Sequence, residues 1–202
     1  MSKVLVSALF WLLCAVASIL PVNAATLTFW TTLLGSNEVP PTTSTGTGFV
    51  TAVLNTTAQT LELNVSFSGL TSNDTAAHIH CCAPLGTNAG VATTVPAFTG
   101  FPLGVTSGTF LNQTFDLTNS SFYNPAFVTA EGGLAQAEAA LIAGIEGGDT
   151  YFNIHTMINP GGEIRGQLTQ TPLPTALPLF ATGIGGLGLL GWRRKRKAQA
   201  VA

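Results

Sequence analysis

Leu61, Leu63, Val65 and Phe67 alternate with Glu62, Asn64, Ser66 and Ser68. A period of two puts successive side chains on opposite faces, so this stretch buries its apolar set only as a β-strand. Segments of similar character at Leu27 to Leu34, Gly48 to Leu54, Ala76 to Cys81, Val105 to Phe110, Tyr151 to Met157 and Glu163 to Thr169 predict further strands. Glycine, proline, asparagine and serine clusters between them supply the turns. Threonine and serine fill the exposed positions and give polarity without charge. Many short strands with turn-rich links predict an all-β fold, a two-layer antiparallel sandwich or barrel. One segment departs from this pattern. Leu134, Ala137, Leu141, Ile142 and Ile145 fall on one face at helical spacing, and Gly147-Gly148 follows them. This predicts one short helix over Leu134 to Ile145, ended by glycine and crossing to the strand at Tyr151.

Both ends of the chain read as addresses. Lys3, the apolar run Val4 to Leu20 and the small-residue triplet Val22-Asn23-Ala24 have the order of a secretion signal, which places residues 1–24 outside the mature protein. At the other end, Thr171-Pro172-Leu173-Pro174 precedes an apolar stretch, Leu177 to Trp192, and then Arg193-Arg194-Lys195-Arg196-Lys197. Such a stretch can enter a bilayer, and its basic end stays on the cytoplasmic side. The layout is 1–24 signal, 25–170 domain and 171–202 membrane segment. It predicts an exported protein, first an inner-membrane-anchored precursor and then at the cell surface or outside the cell. The last part resembles the PEP-CTERM sorting segment of bacterial exported proteins, on Pro172, Leu173, Pro174, Arg193 and Arg194. The resemblance implies an exosortase-type processing enzyme as partner, with removal of the tail. The motif here lacks the glutamate of the usual Val-Pro-Glu-Pro, and an uncut anchor is the alternative.

Charge narrows the partners. All nine acidic residues lie between the two ends, and Arg165 is the one cation among them, which leaves the domain at −8. A surface with one cation cannot neutralise a row of phosphates, so nucleic acid is excluded as a partner. A multivalent cation suits this balance better, although a net charge of this size also serves plain solubility.

Three ordered motifs carry a further likeness: Leu33-Leu34-Gly35-Ser36-Asn37-Glu38-Val39-Pro40-Pro41, Ala76-Ala77-His78-Ile79-His80, and Asn153-Ile154-His155-Thr156 with Asn159-Pro160-Gly161-Gly162-Glu163-Ile164-Arg165-Gly166-Gln167-Leu168. They resemble the start, middle and end of a CHRD domain. The resemblance implies a Greek-key β-sandwich similar to the Cu/Zn superoxide dismutases or to immunoglobulin-like domains, and it implies no particular activity.

The three histidines of the chain all lie in these motifs. His78 and His80 share one strand face, roughly 6.6 Å apart along it, while Ile79 takes the core side. Phe152 and Ile154 likewise turn inward and leave Tyr151, Asn153 and His155 on the outer face. If the two strands are neighbours, three imidazoles converge there, a donor set suited to zinc or copper. The competing reading has the histidines bonded to turn backbone and to Glu163 or Asp74; redox catalysis is a third. Cys81 and Cys82 add thiolates to such a site, form a local disulfide, or link two molecules, and an exported protein favours oxidation. Arg165 is expected to pair with a carboxylate or with carbonyls of the turn Asn159 to Gly162, where Gly161 and Gly162 allow a tight reversal beside Glu163. No nucleotide loop, activated nucleophile or spaced carboxylate pair is present. Two functions follow: a non-enzymatic surface or matrix module, with extracellular polysaccharide as a candidate partner, or a copper- or zinc-binding or redox protein.

Overall fold

The computed structural model describes residues 26–170, so the expected signal and the expected sorting segment lie outside the described residues. Nine strands form one antiparallel sheet: β1 (Thr26–Leu34), β2 (Thr47–Asn55), β3 (Thr60–Ser68), β4 (Asp74–Cys81), β5 (Gly90–Val91), β6 (Gly108–Asp116), β7 (Thr150–Thr156), β8 (Ile164–Gln167) and β9 (Thr169–Gln170). Their order is β5-β4-β7-β8-β1-β2-β3-β6, with β9 beside β1. The alternation that predicted β3 is realised: Leu61, Leu63, Val65 and Phe67 are buried, while Ser66 and Ser68 are exposed.

The expected two layers are the two halves of one curled sheet, joined where Leu34 of β1 pairs with Arg165 of β8. Phe98 and Phe101, from the long β5–β6 connection, fill the space between the halves. Phe98 stacks on Phe152 of β7 with centroids 5.9 Å apart, and Phe101 lies 5.7 Å from Phe67 of β3 and 5.3 Å from Phe110 of β6. Both halves therefore close on a single apolar core that also takes in Phe29, Leu33, Ile79 and Ile154.

Two expectations need correction. The strand expected at Val105 to Phe110 runs instead over Gly108–Asp116. Its register against β3 shifts between Leu63 and Val65, where Asn112 takes a positive φ of 55° and its backbone N–H donates to Asn64 Oδ1. A bulge of this kind breaks the period of two, so the continuation of the strand was hidden from the alternation test. The second correction concerns the helices, of which there are two: α1 (Pro125–Glu131) and α2 (Leu134–Gly147). The expected helix is α2. It buries Ala137, Leu141 and Ile145, and it ends at Gly148, whose φ of 76° is left-handed and whose N–H bonds back to the last turn. The start of α1 carries a local signal, an Asn cap followed by proline: Asn124 caps the Ala126 N–H and Pro125 follows it directly. Among the described residues no helix is long and apolar enough to cross a membrane.

Candidate metal centre

Strands β4 and β7 lie side by side, with His78 opposite Asn153, His80 opposite Tyr151 and Ala76 opposite His155. The phase is as the alternation requires: Ile79, Phe152 and Ile154 are fully buried in the core, so the three histidines share the other face. Their rings gather closely, with His155 4.7 Å and His80 5.3 Å from His78, centroid to centroid. One ligand nitrogen from each histidine lies within 4.8 Å of the other two.

The environment differs from the expected wet surface. His78, His80 and His155 are only 5%, 7% and 9% exposed. Three polar segments, near Glu38, Asn88 and Pro160, lie over this face of the sheet. Asn88 Nδ2 donates to the Val39 carbonyl at 2.8 Å and ties two of them together. Single-strand periodicity cannot reveal such a cover, because the covering residues come from loops distant in sequence.

The ring nitrogens are sorted by their partners. His80 Nδ1 lies 2.9 Å from the Ala89 carbonyl, and His155 Nδ1 lies 2.9 Å from the Pro160 carbonyl. A carbonyl only accepts, so each Nδ1 carries the hydrogen and each Nε2 keeps a lone pair. Both of those Nε2 atoms are buried without a partner, as is Nδ1 of His78. Burial pushes the His78 pKa down to about 3, aided by the neighbouring His155 and His80. It pushes His80 down to about 4 against the opposing bond to Ala89, and it also lowers His155. All three imidazoles are therefore neutral at physiological pH, the protonation state in which they bind metals.

Tyr151 and Glu38, to which the sequence alone assigns no role in the site, complete the surroundings together with Arg165 and Gly162. The Tyr151 ring stacks on His80 at 4.6 Å and 8°, and its hydroxyl accepts from the Ala89 N–H. The Arg165 guanidinium also sits over that ring, 4.0 Å from its centroid. Glu38 is buried and accepts from Asn153 Nδ2, and burial pushes its pKa up to about 7 despite Arg165 nearby. Gly162 closes the group. A Cβ there would stand 2.6–2.8 Å from Asn153 and Glu38 at a φ of 128°, so only glycine lets these side chains lie against the turn.

Of the other expectations about these motifs, the local disulfide and the histidine bonds to loop backbone hold, and the rest are corrected. Arg165 bonds Asn88 Oδ1 and the Thr87 carbonyl, not the Asn159–Gly162 turn, because its side chain lies on the face where the Asn88 segment folds over. The histidines do not bond Glu163 or Asp74. Glu163 accepts from Ser44, Thr71, Thr156 and Asn159, and Asp74 accepts from the Val105 N–H. Burial alone would raise the Glu163 pKa, but those bonds outweigh it and hold the carboxyl below its usual value. Cys81 and Cys82 form a local disulfide packed against Ala140 and Gly144 of α2, so they supply no thiolate to the histidines. Cys81 follows Ile79 on the core side, the face opposite His78 and His80.

The family model of the CHRD domain matches residues 29–168. No curated protein and no solved structure matches the chain.

Proposed function

The chain belongs to the CHRD domain family, and from that premise we propose an exported, non-enzymatic module that holds one copper or zinc ion between His78, His80 and His155. The observation that carries the metal is the nitrogen geometry: three neutral imidazoles within 4.8 Å, with partnerless buried nitrogens. Metal-bound histidines donate their other ring N–H to an oxygen acceptor, as His80 and His155 do to backbone carbonyls here, which sets their tautomer before the ion arrives. Burying such nitrogens without partners is costly, and an ion relieves that cost. Three bonds of 2.0–2.1 Å to one ion bring the donors to about 3.4–3.6 Å apart, a contraction that the side chains must supply on binding.

Export is supported by the charged, apolar and small-residue order of the first 24 residues and by the Cys81–Cys82 disulfide, which persists in oxidising compartments. The Pro172-Leu173-Pro174 motif, the apolar stretch and the Arg193-Arg194 cluster support sorting by an exosortase-type enzyme. The crossings of β3 to β4 and of β6 to β7 between the sheet halves support a Greek-key description of the topology.

Elemental analysis and calorimetric titration of the purified protein test the metal. One equivalent of copper or zinc is expected. His78→Ala combined with His155→Ala is expected to weaken binding by about a hundredfold or more, beyond the roughly 10–100-fold lost when only a partner of a ligand is removed. A folded double variant that binds with wild-type affinity would remove the site.

A further inference from the structure

We infer that the three-histidine site is built for monovalent copper in preference to zinc or cupric ion, and that the Arg165 cation stacked on Tyr151 enforces the preference. The inference rests on the metal reading above. All three donors are neutral nitrogens, and no carboxylate or thiolate belongs to the ligand group. The disulfide has taken both sulfurs, and Glu163 and Asp74 are bonded elsewhere. A bound ion therefore keeps its full charge inside a site whose walls are at most 9% exposed.

The cost of burying an ion grows with the square of its charge, so a dication costs about four times what a monocation does. The Arg165 charge, which already acts on His80, makes this worse. Arg165 lies 4.0 Å from the Tyr151 ring, which in turn lies 4.6 Å from His80, and its repulsion of a dication is twice that of a monocation. Glu38 is the acid on this face, but it accepts from Asn153, feels the Arg165 charge and is not one of the ligand group. Coordination number points the same way. Zinc takes four ligands, whereas cuprous ion is satisfied by three nitrogens, the number this cluster offers.

Competition against chromophoric chelators tests this on the purified full-length chain: bicinchoninate for Cu(I) under ascorbate, with separate titrations of Cu(II) and Zn(II). Cu(I) is expected to bind at least tenfold more tightly than either. Against Cu(II), each factor of ten raises the midpoint potential of the bound couple by 59 mV over the free ions. Arg165→Gln should narrow the gap between Cu(I) and Cu(II), and Arg165→Lys should keep most of it. Cu(II) or Zn(II) held as tightly as Cu(I) by the wild-type protein overturns the preference and leaves the metal site standing. Failure to bind any of the three overturns the site itself. A folded Arg165→Gln protein with an unchanged gap overturns the role of the guanidinium.

Discussion

Burial makes the histidines answerable to pH in a definite direction. Below the unfolded value of 6.5, the unfolded chain takes up protons at His78 and His80 that the folded protein refuses down to about 3 and 4. Their stabilising contribution is therefore complete above pH 6.5 and is lost as pH falls. Glu38 works in the opposite sense, since its folded pKa of about 7 exceeds its unfolded 4.5 and the folded state gains a proton between those values. Two protons outweigh one, and His155 adds to the two. The metal-free protein should lose stability as pH falls from 6.5 to 4.5, on the order of 1 kcal/mol per pH unit. Thermal melts across that range check it, and a melting temperature that climbs as pH drops would contradict it. At Gly162 the expected effect is steric. Gly162→Ala forces a side chain into left-handed backbone and against Glu38 and Asn153, at a cost of about 1–3 kcal/mol. Chemical denaturation measures this, and an unchanged midpoint would mean the turn is not pinned there.

At the scale of elements, the β4–β7 ladder and the turns around it matter most. β7 is buried along its whole length, one face in the core and the other against the site. Glu163 fastens the turn that follows it. Its carboxylate draws the loops of Ser44 and Thr71 onto Thr156 and Asn159. Glu163→Gln replaces an acceptor-only carboxylate with an amide that presents two donors to groups that themselves donate. Bonds to a charged group are worth about 1.5–3 kcal/mol each, so a loss of several kcal/mol in a denaturant titration is expected. The back of β4 gives a second test. Gly144→Ala gains about 1 kcal/mol of helix propensity in α2, but the new methyl would stand 2.6 Å from Cys81 Sγ. Overpacking costs about 1–3 kcal/mol, so a net destabilisation is expected, and a more stable variant would show that the helix yields freely.

For the whole molecule, the curled sheet explains how one chain seals a polar site without a second domain. Its halves meet around Phe98 and Phe101, and the loops that are not needed for that core fold over the outer face of β4, β7 and β8. Beyond the described residues, the two ends predict a processed product. Mass spectrometry of the protein from its native host should find the first 24 residues and the basic tail removed. A product that retains Ala202 would leave the plain-anchor alternative.

Periodicity suffices for the character of β1, β2, β3 and α2, because an alternating or helical apolar pattern has only one way to bury itself. The same logic placed Ile79, Phe152 and Ile154 inward and so grouped the three histidines on one face. Two facts were beyond it. That β4 and β7 are neighbours depends on crossings between the sheet halves, which no local pattern encodes. That the histidines are buried depends on segments near residues 38, 88 and 160 meeting over them, through bonds such as Asn88 to Val39 and His155 to Pro160. A strand's pattern declares which side needs the core; only the folded chain decides whether the other side meets water or protein, and here that decision turned three surface histidines into neutral, enclosed donors.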